Sequence, residues 1–247
     1  MKLKIFNIIW RFFEKIRLDK KSSEPGQFGI IGHSATPPSD QQLGIETMGA
    51  SFRAEPFLWI HLAGIAVVPL ALLVMMLGLG VGTPFSAYGV ELILLIVLGW
   101  LPVMVMQWFK PFEIFGLLII ALRPDSLGED QLRILSLFKR GQQRWITLLG
   151  GMISLGLLWL VYYFAPIAYP WVTDLPQIRL AGLLLGAIAY LMVNLFLQVP
   201  LSVLGVLSTS QSKFTETIPL DPNQIKQQFT IPGVKLRQIP LVPRISS

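Results

Sequence analysis

The sequence predicts an all-α membrane protein with four transmembrane helices, and three observations lead to this fold class. Charged residues make up only 14% of the 247 positions, whereas soluble domains carry about 25%. Hydrophobic residues reach 53%, and the mean hydropathy is +0.62. Four apolar stretches are each long enough to cross a bilayer, which takes about 20 helical residues. They cover residues 57–81, 90–109, 145–168 and 180–207.

The four stretches form a transmembrane domain over residues 57–207, with an insert at 110–144. Tryptophan and tyrosine favour the level of the lipid headgroups, and several of them lie near the ends of the stretches. These are Trp59, Trp108, Trp145, Tyr169 and Trp171. Prolines inside three stretches predict kinks, which are tolerated where a neighbouring group pairs with the freed carbonyl. They are Pro69, Pro102 and Pro200.

Lysine and arginine predict the orientation in the membrane. Of the 20 basic residues, all but Arg179 lie in residues 1–57, 110–144 and 208–247. Because basic residues are retained on the cytoplasmic side, we expect both termini and the insert there, with two short loops opposite. This bias accounts for the net charge of +6 without a nucleic-acid partner, and none is expected.

The N-terminal region is expected to contain an amphipathic helix followed by a linker. Isoleucine and phenylalanine recur at helical spacing in residues 1–21, which predicts a helix lying in the membrane interface. A helix docked on a partner or on the protein's own loops is the alternative. Its candidate membrane-surface or docking cations are Lys4, Arg11 and Lys15. Residues 22–56 are rich in Gly, Ser, Pro and Gln without a period, which predicts a flexible linker.

The insert is expected to contain two further elements. Residues 112–122 are apolar but too short to span, which predicts either an interfacial or a re-entrant helix. Ser126 and Glu129 have the spacing of a capping box and predict an amphipathic helix from there to about residue 140. This helix would lie at the headgroups or on a partner, and packing on its own bundle is the alternative. Its candidate docking cations are Arg133, Lys139 and Arg140.

The tail, residues 208–247, is predicted to be cytoplasmic. Asp221 and Pro222 are a favourable N-cap and first helical residue, so a short helix is expected to run to about Phe229. Beyond it, apolar residues alternate with proline, which predicts an extended segment that could lie across a partner.

Few polar residues lie inside the predicted spans. Three in the fourth span recur one turn apart and share a face, and interhelical hydrogen bonds are favoured there over a ligand contact. They are Asn194, Gln198 and Ser202. Glu91 is expected at the outer end of the second span, where water can solvate it. Three glycines of the third span predict close approach of a neighbouring helix: Gly150, Gly151 and Gly156.

His61, one turn inside the first span, is the candidate cofactor ligand. One imidazole can supply the axial ligand of a chlorophyll magnesium, and a hydrogen-bonded interfacial histidine is the alternative. A bound lipid is the other cofactor considered, and no metal site is expected. The sequence contains no cysteine and none of the common catalytic motifs, so it is not expected to be an enzyme.

Four strings resemble a known family by their joint occurrence and order. They are SFRAEPFLWIHLAG (51–64), QLRILSLFKR (131–140), NLFLQVP (194–200) and QFTIPG (228–233). With the spans between them, they resemble the cyanobacterial low-complexity tail membrane proteins over roughly residues 51–234. The resemblance implies an integral membrane protein of a cyanobacterial thylakoid or plasma membrane, and it carries over no catalytic residue. After residue 234 the tail is short and not of low complexity, so it differs from the low-complexity tail to which the family's name refers.

Two functions are therefore expected. The favoured one is a non-enzymatic accessory, assembly or stabilising subunit of a photosynthetic membrane complex, docking its partner through the cytoplasmic helices and tail. The alternative is a lipid or small-molecule transporter, or a subunit of one, that uses the face of Asn194 and Gln198. The lipid bilayer is the partner expected in both cases.

Overall fold

A computed structural model describes residues 52–117, 120–231 and 233–236. The predicted helix at 1–21, with Lys4, Arg11 and Lys15, lies outside the described residues. So do most of the predicted linker and the last eleven residues of the tail.

The described chain is mostly helical, with one small sheet. Its α-helices are α1 (Pro56–Ala63), α2 (Val67–Gly80), α3 (Tyr88–Leu95), α4 (Leu101–Phe109), α5 (Glu129–Phe138), α6 (Gly141–Phe164), α7 (Tyr169–Val172), α8 (Arg179–Leu207), α9 (Gln211–Thr215) and α10 (Pro222–Gln228). Its strands are β1 (Gly116–Leu117), β2 (Ile120–Leu122) and β3 (Val234–Leu236). Short 3-10 turns lie at Phe52–Ala54, Gly64–Ala66, Pro124–Ser126 and Ala165–Ala168, and a π-helical turn lies at Ile96–Trp100.

Four helical segments are long and apolar enough to cross a membrane, as predicted. Span 1 is Pro56–Gly80, span 2 is Gly89–Phe109, span 3 is Gly141–Val172 and span 4 is Arg179–Leu207. Span 4 packs against the other three. Half of its most apolar window is buried, against 28% in each of the others, so span 4 forms the centre of the bundle.

Glycine lets spans 1 and 4 approach closely. A Cβ atom built on Gly78 would lie 2.8 Å from the carbonyl oxygen of Gly182 and 2.9 Å from the nitrogen of Gly186. Gly182 and Gly186 are four residues apart, in the string GLLLG. This small-xxx-small spacing is typical of helices that pack closely in membranes. Side chains larger than hydrogen would force the two backbones apart.

The three glycines predicted to allow close packing of span 3 have different surroundings in the structure. A Cβ on Gly150 would lie 3.1 Å from the Leu201 side chain, and one on Gly151 would lie 2.8 Å from the Met104 sulfur. Both therefore lie at helix contacts. A Cβ on Gly156 would meet nothing within 4 Å, so the prediction for this residue is wrong. Gly156 lies on the outward face of span 3.

Two of the three prolines coincide with a break in helical hydrogen bonding. Pro102 follows the π-helical turn Ile96–Trp100, and Pro69 follows the 3-10 turn Gly64–Ala66. Proline lacks an N–H and its ring crowds the preceding turn, so the disruption lies just before it. Pro200 lies inside α8, which stays helical from end to end.

Residues 110–117, 120–140, 208–231 and 233–236 lie outside the four spans and form a folded subdomain at one end of the bundle. Strand β1 pairs with β2 in antiparallel fashion, and β2 pairs with β3 in parallel fashion. Helix α5 contributes five buried residues to the core below the sheet: Leu132, Ile134, Leu135, Leu137 and Phe138. We call this end of the bundle the subdomain end, and the end with the loops 81–87 and 173–178 the loop end.

The prediction of an interfacial or re-entrant helix at 112–122 is wrong. Ile114, Phe115 and Ala121 are buried, and this segment contains the β1–β2 pair. A short apolar run without a period can be a buried strand as readily as a helix. The backbone amide of Leu122 donates to the carbonyl of Phe115 at 3.0 Å. The segment belongs to the core of the subdomain.

Helix α5 lies where the second insert helix was predicted, but its start differs. It begins at Glu129, and the side chain of Gln131 accepts a hydrogen bond from the backbone N–H of Gly128 at 3.1 Å. Ser126 instead donates from its hydroxyl to the carbonyl of Arg123 at 2.8 Å. The predicted Ser126–Glu129 capping box is therefore wrong. The apolar face of α5 packs on its own chain, which was the alternative interpretation.

The structure describes the last residues of the predicted linker and residues 208–231 and 233–236 of the tail. Phe52, near the end of the linker prediction, is buried and stacks on Phe214 with ring centroids 4.4 Å apart, so a flexible linker is wrong at this end. In the tail, α10 begins after Asp221, whose carboxylate accepts from the N–H of Asn223 at 2.9 Å. The extended segment beyond it pairs as β3 within the chain.

Candidate functional site

A buried ion pair lies at the loop end of the bundle. Glu91 is fully buried, and Arg179 is 8% exposed. The Nε atom of Arg179 donates to one carboxylate oxygen of Glu91 at 2.7 Å, and Nη2 donates to the other. The expectation that water solvates Glu91 is therefore wrong. A two-pronged pair of this kind is the geometry in which arginine binds a carboxylate best.

Further hydrogen bonds connect spans 1 and 3 to this pair, whose own residues lie in spans 2 and 4. Nη1 of Arg179 donates to the carbonyls of Leu79 at 2.7 Å and Val81 at 3.0 Å. These carbonyls lie at the C-terminal end of span 1, where helical partners run out. The hydroxyl of Tyr162 in span 3 donates to the carboxylate of Glu91 at 2.8 Å. The pair thus joins the ends of spans 1, 2, 3 and 4.

Local sequence explains how these side chains meet. Arg179 is the first residue of α8, and Glu91 lies in the first turn of α3. Gly82 has a positive φ of 68°, which glycine adopts without strain, and its N–H donates to the side chain of Gln177 at 2.8 Å. A sequence signal for this pair exists. Arg179 is the one basic residue of the two short predicted loops, and Glu91 is the one acidic residue of the four spans. Charged residues inside a membrane usually pair with each other.

A cavity of about 650 Å³ lies beside the ion pair. Its walls are mostly apolar and aromatic, with Trp159, Tyr163 and Tyr169 among the lining side chains. This volume falls within the range of small-molecule pockets, about 300–1,000 Å³. The donors of Arg179 are already engaged by Glu91 and two carbonyls, so the cavity offers chiefly apolar contact.

The polar residues predicted in span 4 lie inside the bundle. The side-chain amide of Asn194 donates to the carbonyl of Gly99 at 3.2 Å and to that of Tyr190 at 3.1 Å. Gly99 lies in the π-helical turn before Pro102, where the regular helical pairing is disturbed. Asn194 therefore supplies the donor that a kinked helix needs from a neighbour.

The other two residues of this face are less fully paired. The amide of Gln198 contacts only the sulfur of Met104, at 3.5 Å. Ser202 is buried, and its carbonyl accepts from the side chain of Gln143 at 3.1 Å. Three buried amide oxygens have no hydrogen-bond partner among the described residues: those of Gln143, Asn194 and Gln198. The structure thus brings the predicted face together as a helix interface.

Replacing Asn194 by leucine is expected to lower the free energy of unfolding by about 1–2 kcal/mol. The Gly99 carbonyl would lose its side-chain donor, and such bonds in membrane proteins average about 0.6 kcal/mol and reach about 1.7. The matched control is Gln198→Leu, which removes only a sulfur contact and a buried unpaired oxygen, and should be nearly neutral. Unfolding in mixed detergent would measure both. A larger loss for Gln198→Leu would contradict the assignment.

His61 lies in α1, facing the subdomain. Its Nδ1 donates to the carbonyl of Phe57 at 2.8 Å, and its ring lies 5.9 Å from that of Phe112. The adjoining cavity encloses only about 100 Å³, well below the range of small-molecule pockets. This cavity gives the chlorophyll hypothesis no support. The ligand role of His61 stays a prediction.

The three candidate docking cations of the insert have separate surroundings. Arg133 pairs with Glu129 of its own helix at 2.5 Å. Arg140 donates to the hydroxyl of Thr217 at 3.1 Å. The ammonium of Lys139 donates to the carbonyl of Phe109 at the end of span 2, and it lies 5.2 Å from the ring centroid of Phe229 in the tail. Membrane or partner docking by these residues stays a prediction.

Comparison with known proteins matches the chain to one family model. A family model described as low-complexity tail membrane protein-like matches residues 54–241. No curated protein matches, and no solved structure matches. Together with the four spans, the family match fits a multi-pass integral membrane protein in a lipid bilayer.

Proposed function

The chain belongs to the low-complexity tail membrane protein-like family, and we propose that it is an accessory, assembly or stabilising subunit of a larger membrane protein complex. The proposed complex is a photosynthetic one in the thylakoid, and the sequence resemblance implies its cyanobacterial setting. The subunit performs no reaction of its own and presents the extramembrane subdomain to its partner. The subdomain and both termini lie on the cytoplasmic side, as the lysine and arginine bias favours.

The observation that carries this proposal is exposed apolar surface on the folded subdomain. Ile218 is 82% exposed and Val234 is 63% exposed, although neither lies in a span. Apolar side chains on the lipid-facing side of a bundle are expected, and single exposed apolar residues are common on any surface. Ile218 and Val234 therefore mark two points at which a partner could contact the subdomain, whose core includes the buried Phe214 and Ile225.

Co-purification from mild detergent, followed by mass spectrometry, tests this proposal. The tagged wild-type protein should recover a defined set of membrane complex subunits. The variant Ile218→Glu places a carboxylate on the exposed site and should reduce that recovery at least tenfold, because an unpaired charge at an apolar interface is strongly disfavoured. The thermal unfolding temperature should change little.

The matched control for this experiment is Gln211→Glu, which adds the same charge to an exposed position of α9 without removing apolar surface. It should keep the wild-type recovery. Purification of the wild-type protein only as a free monomer, or equal loss of partners in both variants, would count against a docking role.

A lipid or small-molecule transporter, or a subunit of one, is the second candidate. The cavity of about 650 Å³ at the loop end favours it, because this volume suits an apolar ligand. The face of Asn194 and Gln198 supports it less, since the Asn194 amide donates to the Gly99 carbonyl. A flux assay in sealed vesicles that is unaffected by both Asn194→Leu and Gln198→Leu would remove that face from the mechanism.

A further inference from the structure

Three basic residues meet where spans 2 and 3 join the subdomain. The ammonium of Lys139 lies 3.5 Å from the carbonyl oxygen of Phe109, at the end of span 2. The guanidinium of Arg144 lies 5.9 Å from the ring centroid of Trp108, which is in the same helical turn as Phe109. Lys110 follows directly in the chain. We call Lys110, Lys139 and Arg144 the basic cluster.

The basic cluster has no acidic partner within the described part of the chain. The ion pairs there join Arg133 to Glu129 and Asp130, and Arg179 to Glu91. Partial burial lowers the pKa of Lys139, and the positive charges of Arg144 and Lys110 lower it further. Three like charges that form no ion pair with a described acid create a positive potential that attracts an anion.

Neighbouring aromatic residues place the basic cluster at the depth of the lipid headgroups. Trp145 is 74% exposed and Trp108 is 37% exposed, at the adjoining ends of spans 3 and 2. Tryptophan side chains exposed at the ends of spans favour the membrane interface. Arg144 also lies in the first turn of α6, whose helix dipole is positive at this end.

We propose that the basic cluster binds the headgroup of an anionic phospholipid. The phosphate oxygens accept hydrogen bonds from the two ammonium groups and the guanidinium, while the acyl chains lie along the exposed aromatic and apolar side chains of spans 2 and 3. Charge complementarity selects this occupant, since a zwitterionic lipid brings a second cation to the same place. The site does not depend on a protein partner, so it stands apart from the proposed accessory role.

Native mass spectrometry of the full-length protein in detergent, titrated with phosphatidylglycerol, tests the proposal. The variant Lys139→Gln/Arg144→Gln should weaken binding of the first lipid about 25-fold, because each basic residue near a headgroup contributes about fivefold. Phosphatidylcholine with the same acyl chains should bind more weakly to the wild type and be unaffected by the variant. Inorganic phosphate in excess should not displace the lipid, since it lacks the acyl chains.

Two further variants control for charge and folding. Lys213→Gln/Lys226→Gln removes two exposed cations elsewhere in the subdomain and should leave the affinity within twofold. Lys139→Arg/Arg144→Lys keeps both charges and should bind like the wild type. Equal phosphatidylglycerol affinity for the Gln double variant and the wild type, at unchanged thermal stability, would overturn the proposal. Displacement by inorganic phosphate would overturn the lipid as the occupant.

Discussion

Replacement of Arg179 by leucine should lower the free energy of unfolding by about 3–5 kcal/mol, because removing one partner of a buried pair leaves the other charge unpaired. Glu91 is fully buried and would keep only Tyr162 and a backbone N–H as donors. The carbonyls of Leu79 and Val81 would also lose the donor they share. Unfolding in mixed detergent, followed by circular dichroism, would measure the loss.

A double replacement separates the ion pair from the packing around it. Glu91→Leu/Arg179→Leu leaves no buried charge, so its cost should be smaller than that of Arg179→Leu alone. Glu91→Leu alone should also cost about 3–5 kcal/mol, because it leaves the arginine unpaired. The coupling energy from the two single variants and the double variant should therefore exceed about 3 kcal/mol. Asp174→Asn, an exposed acid of the neighbouring loop, is the control and should be neutral. A double variant less stable than Arg179→Leu would contradict the assignment of that loss to an unpaired buried charge.

The spans could be predicted from the sequence because their signal is local and additive. A run of about 20 apolar residues identifies a spanning helix without any knowledge of its neighbours. All four predicted stretches therefore correspond to spans of the structure. The helix after Asp221 was predictable for the same reason, since an N-cap and a proline at the first helical position act within one turn.

The small sheet could not be predicted because its pairing is distant in sequence. Strand β2 at Ile120–Leu122 pairs with β3 at Val234–Leu236, and no local pattern links these two segments. An apolar run such as 112–122 indicates that the segment is buried, but it does not indicate which other strand the segment pairs with. The tail beyond Phe229 was expected to be extended, and β3 is extended. Its pairing within the chain was not expected.

The ion pair was missed for a different reason. Glu91 and Arg179 each lie at the end of a span, where charged residues are commonly solvated. Only the packing of four span ends around them removes the water. The interhelical hydrogen bond of Asn194 was easier to predict, because an amide in the middle of an apolar helix has few partners other than a neighbouring helix. The structure supplies the particular partner, the Gly99 carbonyl beside a π-helical turn.

Replacing Gly182 by leucine should destabilise the bundle by about 3 kcal/mol or more. A Cβ at this position would overlap the carbonyl oxygen of Gly78 and lie 2.7 Å from the Cβ of Val81. A clash with backbone cannot be relieved by a change of rotamer, so spans 1 and 4 would have to separate. Because Arg179 lies one turn before Gly182 on α8, the separation would also strain the ion pair. Unfolding in mixed detergent would report the loss.

Gly156→Leu is the matched control, since a Cβ at Gly156 meets nothing within 4 Å. Leucine is the better helix former by up to about 1 kcal/mol, so this variant should be neutral or slightly stabilised. Gly182→Ala tests the contact with a single methyl group and should lie between Gly182→Leu and the wild type. If Gly182→Leu were as stable as Gly156→Leu, spans 1 and 4 could not be in backbone contact at Gly78. The central position of span 4 would then need another explanation.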